Sequence, residues 1–190
     1  VLREDPGIIA ELQNLQDEGK VRDFGISLVS PEDGLAAVKE FGFKSVQVNF
    51  NLVDQRALEN GLFDLCEKRG VGIIVRTPLC FGFLSGEYSA DSQFETGDHR
   101  SGWSREQIGR WASAGELFSE TLEEGQQQSD AQMSLRFCLS YQCVSTVIPG
   151  MLTTEQVEEN TLASQMGPLS EFELRAMERT YLENTFFLGK

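Results

Sequence analysis

Polar side chains gather where apolar runs end. In SVQVNFN (residues 45–51), Gln47, Asn49 and Asn51 alternate with Val46, Val48 and Phe50. In VGIIVRTPLCFGFLSG (71–86), a β-branched run stops at Arg76 and gives way to Thr77, Pro78, Leu79 and a glycine-containing loop. In VSTVIPGMLTTEQVEEN (144–160), an apolar stretch passes through Ile148, Pro149 and Gly150 into a helix that begins near Thr154. These types suit holding a ligand more than making bonds. An inward amide such as Gln47 both donates and accepts, and burying it unpaired costs about 1–3 kcal/mol. A ligand with its own amide satisfies it, and so do side chains on neighbouring strands. A helix amino end offers free N–H groups and partial positive charge, which suits phosphate. Thr153 or Thr154 caps that helix, and Glu155, Glu158 and Glu159 in its first turns stabilise its dipole. They also repel an anion, so any phosphate must sit on the backbone amides. The spacing is neither GxGxxG nor a P-loop.

The elements that carry these residues alternate in type. Pro6 to Glu18 has Ile8, Ile9, Leu12 and Leu15 at helical spacing, and Gly19 stops it. VRDFGIS (21–27) reads as a strand. A helix starts with Ser30 as cap and Pro31 in the first turn, and ends at about Phe41 before Gly42. The strand at 45–51 is followed by a helix over about 58–69, ended by Gly70. The strand at 71–78 leads into a long polar loop, 87–106. Helices are expected over 107–128, with Trp111, Leu117, Phe118 and Leu122 inward, and over 131–141. VSTVIPG is the fourth strand, and the last helices span 154 to about 164 and 170–182. Four strands alternating with helices form the βαβ pattern, a parallel sheet with right-handed crossovers. Alternation alone leaves open a doubly wound sheet or part of a (β/α)8 barrel. In both, ligands bind at the carboxyl ends of the strands.

Bulk properties exclude some classes. The chain has 190 residues, enough for a single domain (1–190) with a real core, and 40% of them are hydrophobic. Its net charge of −14 argues against nucleic acid or an anionic membrane as partner. No apolar run reaches the roughly 18 residues of a membrane span, and VLREDPG is not a signal peptide. Cys66, Cys80, Cys138 and Cys143 form no CxxC pair, and His99 is the lone histidine. No metal site is therefore expected, and the cysteines read as small buried residues suited to a reducing cytoplasm.

GKVRDFGIS, VQVNFNLVDQ, RTPLCFGFLSG and STVIPGMLTTEQVEEN, in this order, resemble the carboxyl half of an aldo-keto reductase. The resemblance covers nearly the whole chain. It implies a (β/α)8 barrel that uses NADPH to reduce aldehydes and ketones, of which this chain supplies about the second half, strands five to eight. Cofactor contacts follow position by position. Ser27 and Gln47 match the residues that hold the nicotinamide carboxamide. Arg76 falls where the family places a Tyr, Trp or Arg against the nicotinamide ring, and a planar guanidinium stacks on a ring face much as an aromatic does. Thr77, Pro78, Leu79, Phe81 and Gly82 match the loop around the pyrophosphate, where glycine lets backbone approach phosphate. Gly150, Gln156, Glu159 and Asn160 match the adenosine end.

Three departures stand out. Leu28 replaces a usual Asn or Arg. Glu87 follows Ser85-Gly86 where relatives often carry a lysine, with Arg100 as its expected substitute. Leu152 stands where many relatives place Arg, Lys or Ser near the 2′-phosphate. NADP(H) is the implied cofactor, with NAD(H) kept open by Leu152.

The family's Asp, Tyr, Lys and His for proton transfer lie on the first four units, which this chain lacks. Tyr88, Tyr141 and Tyr181 stand elsewhere, and His99 reads as a loop histidine, so no catalytic residue is assigned. Without a general acid, about 10²–10⁴ in rate is lost. Four strands alone would also leave two open edges and an uncovered face. The expectation is an incomplete barrel, completed by a missing amino-terminal half or by a second copy of the chain. Two functions follow: the cofactor-gripping half of a carbonyl reductase acting on a small carbonyl substrate, or a noncatalytic nucleotide-binding or structural module. Phe186 and Phe187 in the tail either line a pocket or pack against the barrel.

Overall fold

Each polar position named above lies on, or just beyond, one of four short parallel strands: β1 (Gly25–Ser27), β2 (Ser45–Asn49), β3 (Gly72–Arg76) and β4 (Val144–Ile148). The computed structural model describes residues 7–123 and 127–188. The sheet order is β1-β2-β3-β4, all parallel, with Ser27 paired to Gln47 and Asn49 paired to Arg76. Consecutive order with the connecting helices on one face is the winding of a barrel wall. A doubly wound sheet would reverse direction and place helices on both faces.

The helices are α1 (Gly7–Asp17), α2 (Pro31–Glu40), α3 (Arg56–Glu59), α4 (Leu62–Arg69), α5 (Arg105–Ala112), α6 (Ala114–Ser119), α7 (Asp130–Leu139), α8 (Thr154–Leu162) and α9 (Glu171–Glu183). Pro6, expected to open α1, lies outside the described residues. The expected helix at 58–69 is two helices. Gly61 adopts a left-handed φ of 77° and the Asn60 carboxamide oxygen accepts from Leu62 N at 3.0 Å, so the chain restarts there. The expected helix at 107–128 starts earlier, breaks at Ser113 and ends at Ser119, and residues 124–126 of the expected span lie outside the described residues. Ser30 holds the N-cap position of α2, but its hydroxyl faces Asp33 at 3.3 Å and caps no backbone amide.

Val46, Val48, Ile73 and Val75 alternate onto the covered face and are fully buried. Phe50, just past β2, joins them to Phe63, Phe137 and Tyr141, with ring centroids 4.5, 5.2 and 5.3 Å away. Truncating a ring at such a site costs about 3–5 kcal/mol. The opposite face carries Gly25, Ser27, Gln47, Ile74, Arg76, Thr146 and Ile148. These are exposed or half-buried, with no described helix over them. Between Ile73 and Ile74 the β3–β4 register shifts by a bulge at Ser145. Gly72 permits it, since a Cβ there would stand 2.6 Å from Ser145 Oγ.

The tail returns to the body. The Gln107 amide donates to Phe186 O at 2.7 Å and accepts from Leu188 N at 2.9 Å. Phe186 is buried against Phe118, and Phe187 meets Trp111 edge-on at 5.6 Å. Both tail aromatics pack on helices.

Candidate functional site

The strand ends place the polar residues in two groups. The first lies on the open sheet face. Gln47 Nε2 donates to Ser27 Oγ at 3.0 Å, and Arg76 Nη2 donates to Leu28 O at 2.9 Å, reaching over β2 to the end of β1. Because Asn49 pairs with Arg76, and Gln47 lies two residues earlier on β2, Gln47 and Arg76 share a face. Arg76 Nε is buried with no partner among the described residues. Neighbouring strands thus satisfy part of this polarity themselves, one of the two outcomes open from sequence.

The second group lines a cleft of about 360 Å3 beyond the ends of β3 and β4. One wall is the loop after β3. Thr77, Cys80 and Phe81 all have positive φ, at 54°, 45° and 59°, and each such conformation costs on the order of 1–3 kcal/mol. Thr77 is held there from both sides: its hydroxyl donates to Asn49 Oδ1 at 2.6 Å, and Asn51 Nδ2 donates to its carbonyl at 2.9 Å. Two of the three alternating amides, Asn49 at the end of β2 and Asn51 just past it, thus clamp the next strand's exit turn. Pro78, Leu79, Phe81 and Gly82 follow along the wall. Gly82 has φ 95°, and a Cβ there would stand 2.7 Å from the Tyr88 ring, so only glycine fits.

Arg100, expected from the sequence to stand in for the missing lysine, also lines the cleft, and there it is already engaged by the protein. Its guanidinium pairs with Asp98 (Nη2–Oδ2 2.7 Å, Nε–Oδ1 3.0 Å) and lies 4.7 and 4.5 Å from the Tyr88 and Phe94 ring centroids, which stand 5.3 Å from each other. Those bonds hold the Asp98 carboxyl well down, at about 2. His99 lies at the cleft edge, exposed, against Phe81 and Trp103.

The facing wall is the start of α8. Thr153 Oγ1 accepts from Gln156 N at 3.2 Å, capping the helix. Gly150, Glu159 and Asn160 complete it. Asn160 is 9% exposed, lines the cleft, and its side chain makes no hydrogen bond among the described residues. Its amide is not a sealed, orphaned group but opens onto the cleft, where it can meet a ligand. One bridge joins the walls: Gln156 Nε2 donates to Glu87 Oε1 at 2.9 Å while Gln156 Oε1 accepts from Leu152 N at 2.7 Å. Sequence reasoning noted Glu87 only as an unexpected charge. Ser85 and Tyr88 from the loop, Ala131 from α7 and Ile148 from β4 also line the cleft and were not assigned, since only tertiary folding brings them there.

So Thr77, Pro78, Leu79, Phe81, Gly82, Arg100, Gly150, Gln156, Glu159 and Asn160 meet in one cleft, while Ser27, Gln47 and Arg76 sit beside it on the sheet. The model of the aldo/keto reductase family matches residues 5–181. This chain belongs to the aldo/keto reductase family. It is 32% identical over 178 residues to the L-glyceraldehyde 3-phosphate reductase of Escherichia coli O157:H7, across 88% of this chain and 51% of that protein. It is 28% identical over 170 residues to an uncharacterized oxidoreductase of Bacillus subtilis, across 90% and 53%. Among solved structures, the glycerol dehydrogenase of Gluconobacter oxydans superimposes with a TM-score of 0.72 at 23% identity, over 96% of this chain and 55% of that one. The aldo-keto reductase chain spans about half the length of the curated relatives it matches. The fold is that of an α/β aldo-keto reductase, a family that uses NAD(P)H.

Proposed function

We propose that this chain is the cofactor-holding half of an oxidoreductase that reduces aldehydes or ketones to alcohols with a nicotinamide nucleotide. Its four strands form the second half of a (β/α)8 barrel and act as a single domain (1–190). The observation that carries this reading is Asn160, an unpartnered and nearly buried amide, facing a cleft whose other wall is a strained, glycine-gated loop. Backbone strain kept at a cleft is characteristic of a binding site.

The residues fit a dinucleotide in parts. The Gln47–Ser27 pair offers an amide and a hydroxyl to a carboxamide. Arg76, held flat across β2 by Leu28 O, offers a guanidinium face to a ring. Gly82 opens the loop backbone to a pyrophosphate, and Gln156, Glu159 and Asn160 face an adenosine. The bound nucleotide would supply the hydride. This chain's residues would orient it at the strand ends and exclude water there. The proton for the product alcohol comes from elsewhere in the barrel, because no residue described here is placed to deliver it.

The uncovered sheet face and the two edge strands are completed by the amino-terminal half-barrel or by a second copy of the chain. The four buried thiols suit a reducing cytoplasm. Isothermal titration of the intact protein with NADH and NADPH, followed by carbonyl-dependent nucleotide oxidation, tests the reading. Binding with turnover supports it. Binding without turnover for any of a panel of aldehydes and ketones leaves the noncatalytic nucleotide module, which the paired Arg100 favours. A folded protein that binds neither nucleotide overturns both.

A further inference from the structure

The cleft is short of usable positive charge. Its first wall runs through residues 77–99, which contain no lysine or arginine, and no lysine or arginine occurs between Arg136 and Arg175, a span that includes all of β4 and α8. Among the described residues Arg100 is the one lysine or arginine on the cleft lining, and both edges of its guanidinium are taken. Asp98 holds it on two nitrogens, Phe81 O lies 3.4 Å from the third, and the neighbouring Tyr88 and Phe94 rings lie within 4.7 Å of its carbon. An incoming phosphate that claimed Arg100 would leave Asp98 without its partner.

Negative charge, in contrast, is fixed at the cleft. Glu87 is clipped by Gln156 onto the amino end of α8, and Glu159 lines the same wall. The Glu155 carboxyl, in the first turn, has its pKa lowered by its own backbone N–H and by the Thr153 hydroxyl. The helix start therefore spends part of its anion-binding capacity on the protein's own carboxylates. Leu152 sits at that helix start, 94% exposed, with an apolar side chain.

We propose that this cleft selects the nicotinamide nucleotide of lower charge, NADH over NADPH. The proposal rests on the nucleotide reading above and adds its specificity. A pyrophosphate can be met by uncharged groups, namely backbone N–H groups of the loop and of α8. The additional 2′-phosphate carries a charge of about −1.5 to −2 near neutral pH. It finds no unpaired cation on either wall, and every carboxylate there repels it. Specificity arises from the missing partner as much as from repulsion.

The test is calorimetric titration of the intact protein with NADH and with NADPH at low and at high salt. The Kd for NADH is expected to be at least tenfold lower at low salt, about 1.4 kcal/mol. The ratio should narrow at high salt, because exposed charges are screened. Glu87→Gln keeps an acceptor for Gln156, removes the charge, and should narrow the ratio severalfold. Leu152→Arg, at a fully exposed position that leaves packing untouched, should tighten NADPH binding and leave NADH within about twofold. Equal or tighter binding of NADPH by the unaltered protein overturns the proposal while leaving the nucleotide reading intact. So does a preference that neither salt nor either variant changes. If a protein shown to be folded by circular dichroism binds neither nucleotide, the nucleotide reading falls and this proposal falls with it.

Discussion

Gln47 Nε2 donates to Ser27 Oγ at 3.0 Å across the β1–β2 pair. On the same face, one step along, Arg76 donates to Leu28 O. The two contacts tie the exits of three strands together on the side that no described helix covers. A sheet face meant only for packing would carry apolar side chains at these positions. Here it carries an amide, a hydroxyl and a guanidinium, each with hydrogen-bonding capacity left over.

Ser27→Ala tests whether this pair holds a ligand or only the sheet. The bond is exposed, so its loss should cost under about 1 kcal/mol of stability. If the pair holds the carboxamide, nucleotide affinity should fall about five- to tenfold. Thermal melts and calorimetric titration on the same variant read the two effects separately. A loss of stability with unchanged affinity would assign the pair to the sheet alone.

Asp98 and Arg100 give the long loop a pH dependence at the acid end. Hydrogen bonds from the Arg100 guanidinium, and then from its backbone N–H, lower the Asp98 carboxyl to about 2, from an ordinary value of 3.8. A depressed carboxyl stabilises the folded form fully above its unfolded value and loses that contribution as pH falls through its folded value. The loop is therefore expected to keep its structure from neutrality down to about pH 4 and to loosen between about pH 4 and pH 2. Carboxyl titration by NMR, with tryptophan emission from Trp103, reads this window. Asp98→Asn should remove the transition and leave Arg100 free for an anion, tightening phosphate binding.

Gln107 is the splint of the carboxyl-terminal tail. Gln107→Leu would leave Phe186 O and Leu188 N without partners near a buried position, at about 1–3 kcal/mol. The tail should then become cleavable by limited proteolysis near Thr185. Trp111, which Phe187 meets edge-on, should emit further to the red. Gln107→Glu keeps the acceptor for Leu188 N and loses the donor to Phe186 O, so an intermediate cost is expected in urea denaturation.

Local chemistry made a good part of this molecule readable in advance. The alternation of Val46, Val48 and Phe50 with Gln47, Asn49 and Asn51 separates two faces of a strand because side chains alternate with period two, whatever surrounds them. Thr153 before an acidic first turn marks the start of α8, and its hydroxyl takes the N–H that the helix leaves unpaired. The break at Gly61 was missed because a helical apolar pattern runs on through it and the left-handed turn shows only in backbone angles. Hydrophobic spacing likewise predicts one helix over 107–128, where the structure has two, Arg105–Ala112 and Ala114–Ser119, meeting at Ser113.

The amino-acid sequence by itself determined the βαβ alternation, the acidic balance, and the set of polar residues at strand ends. These follow from periodicity, charge and capping, which act over a few residues. Tertiary structure alone decided that the strands run in consecutive order with helices on one face, since register and winding depend on which distant segments pair. It also decided the state of each charge. Arg100 reads as a free cation until Asp98, Tyr88 and Phe94 close around it, and Glu87 reads as a stray acid until Gln156, 69 residues away, fastens it to α8. Electrostatic partnership acts through space over a few ångströms, and a linear chain does not reveal which charges will come that close.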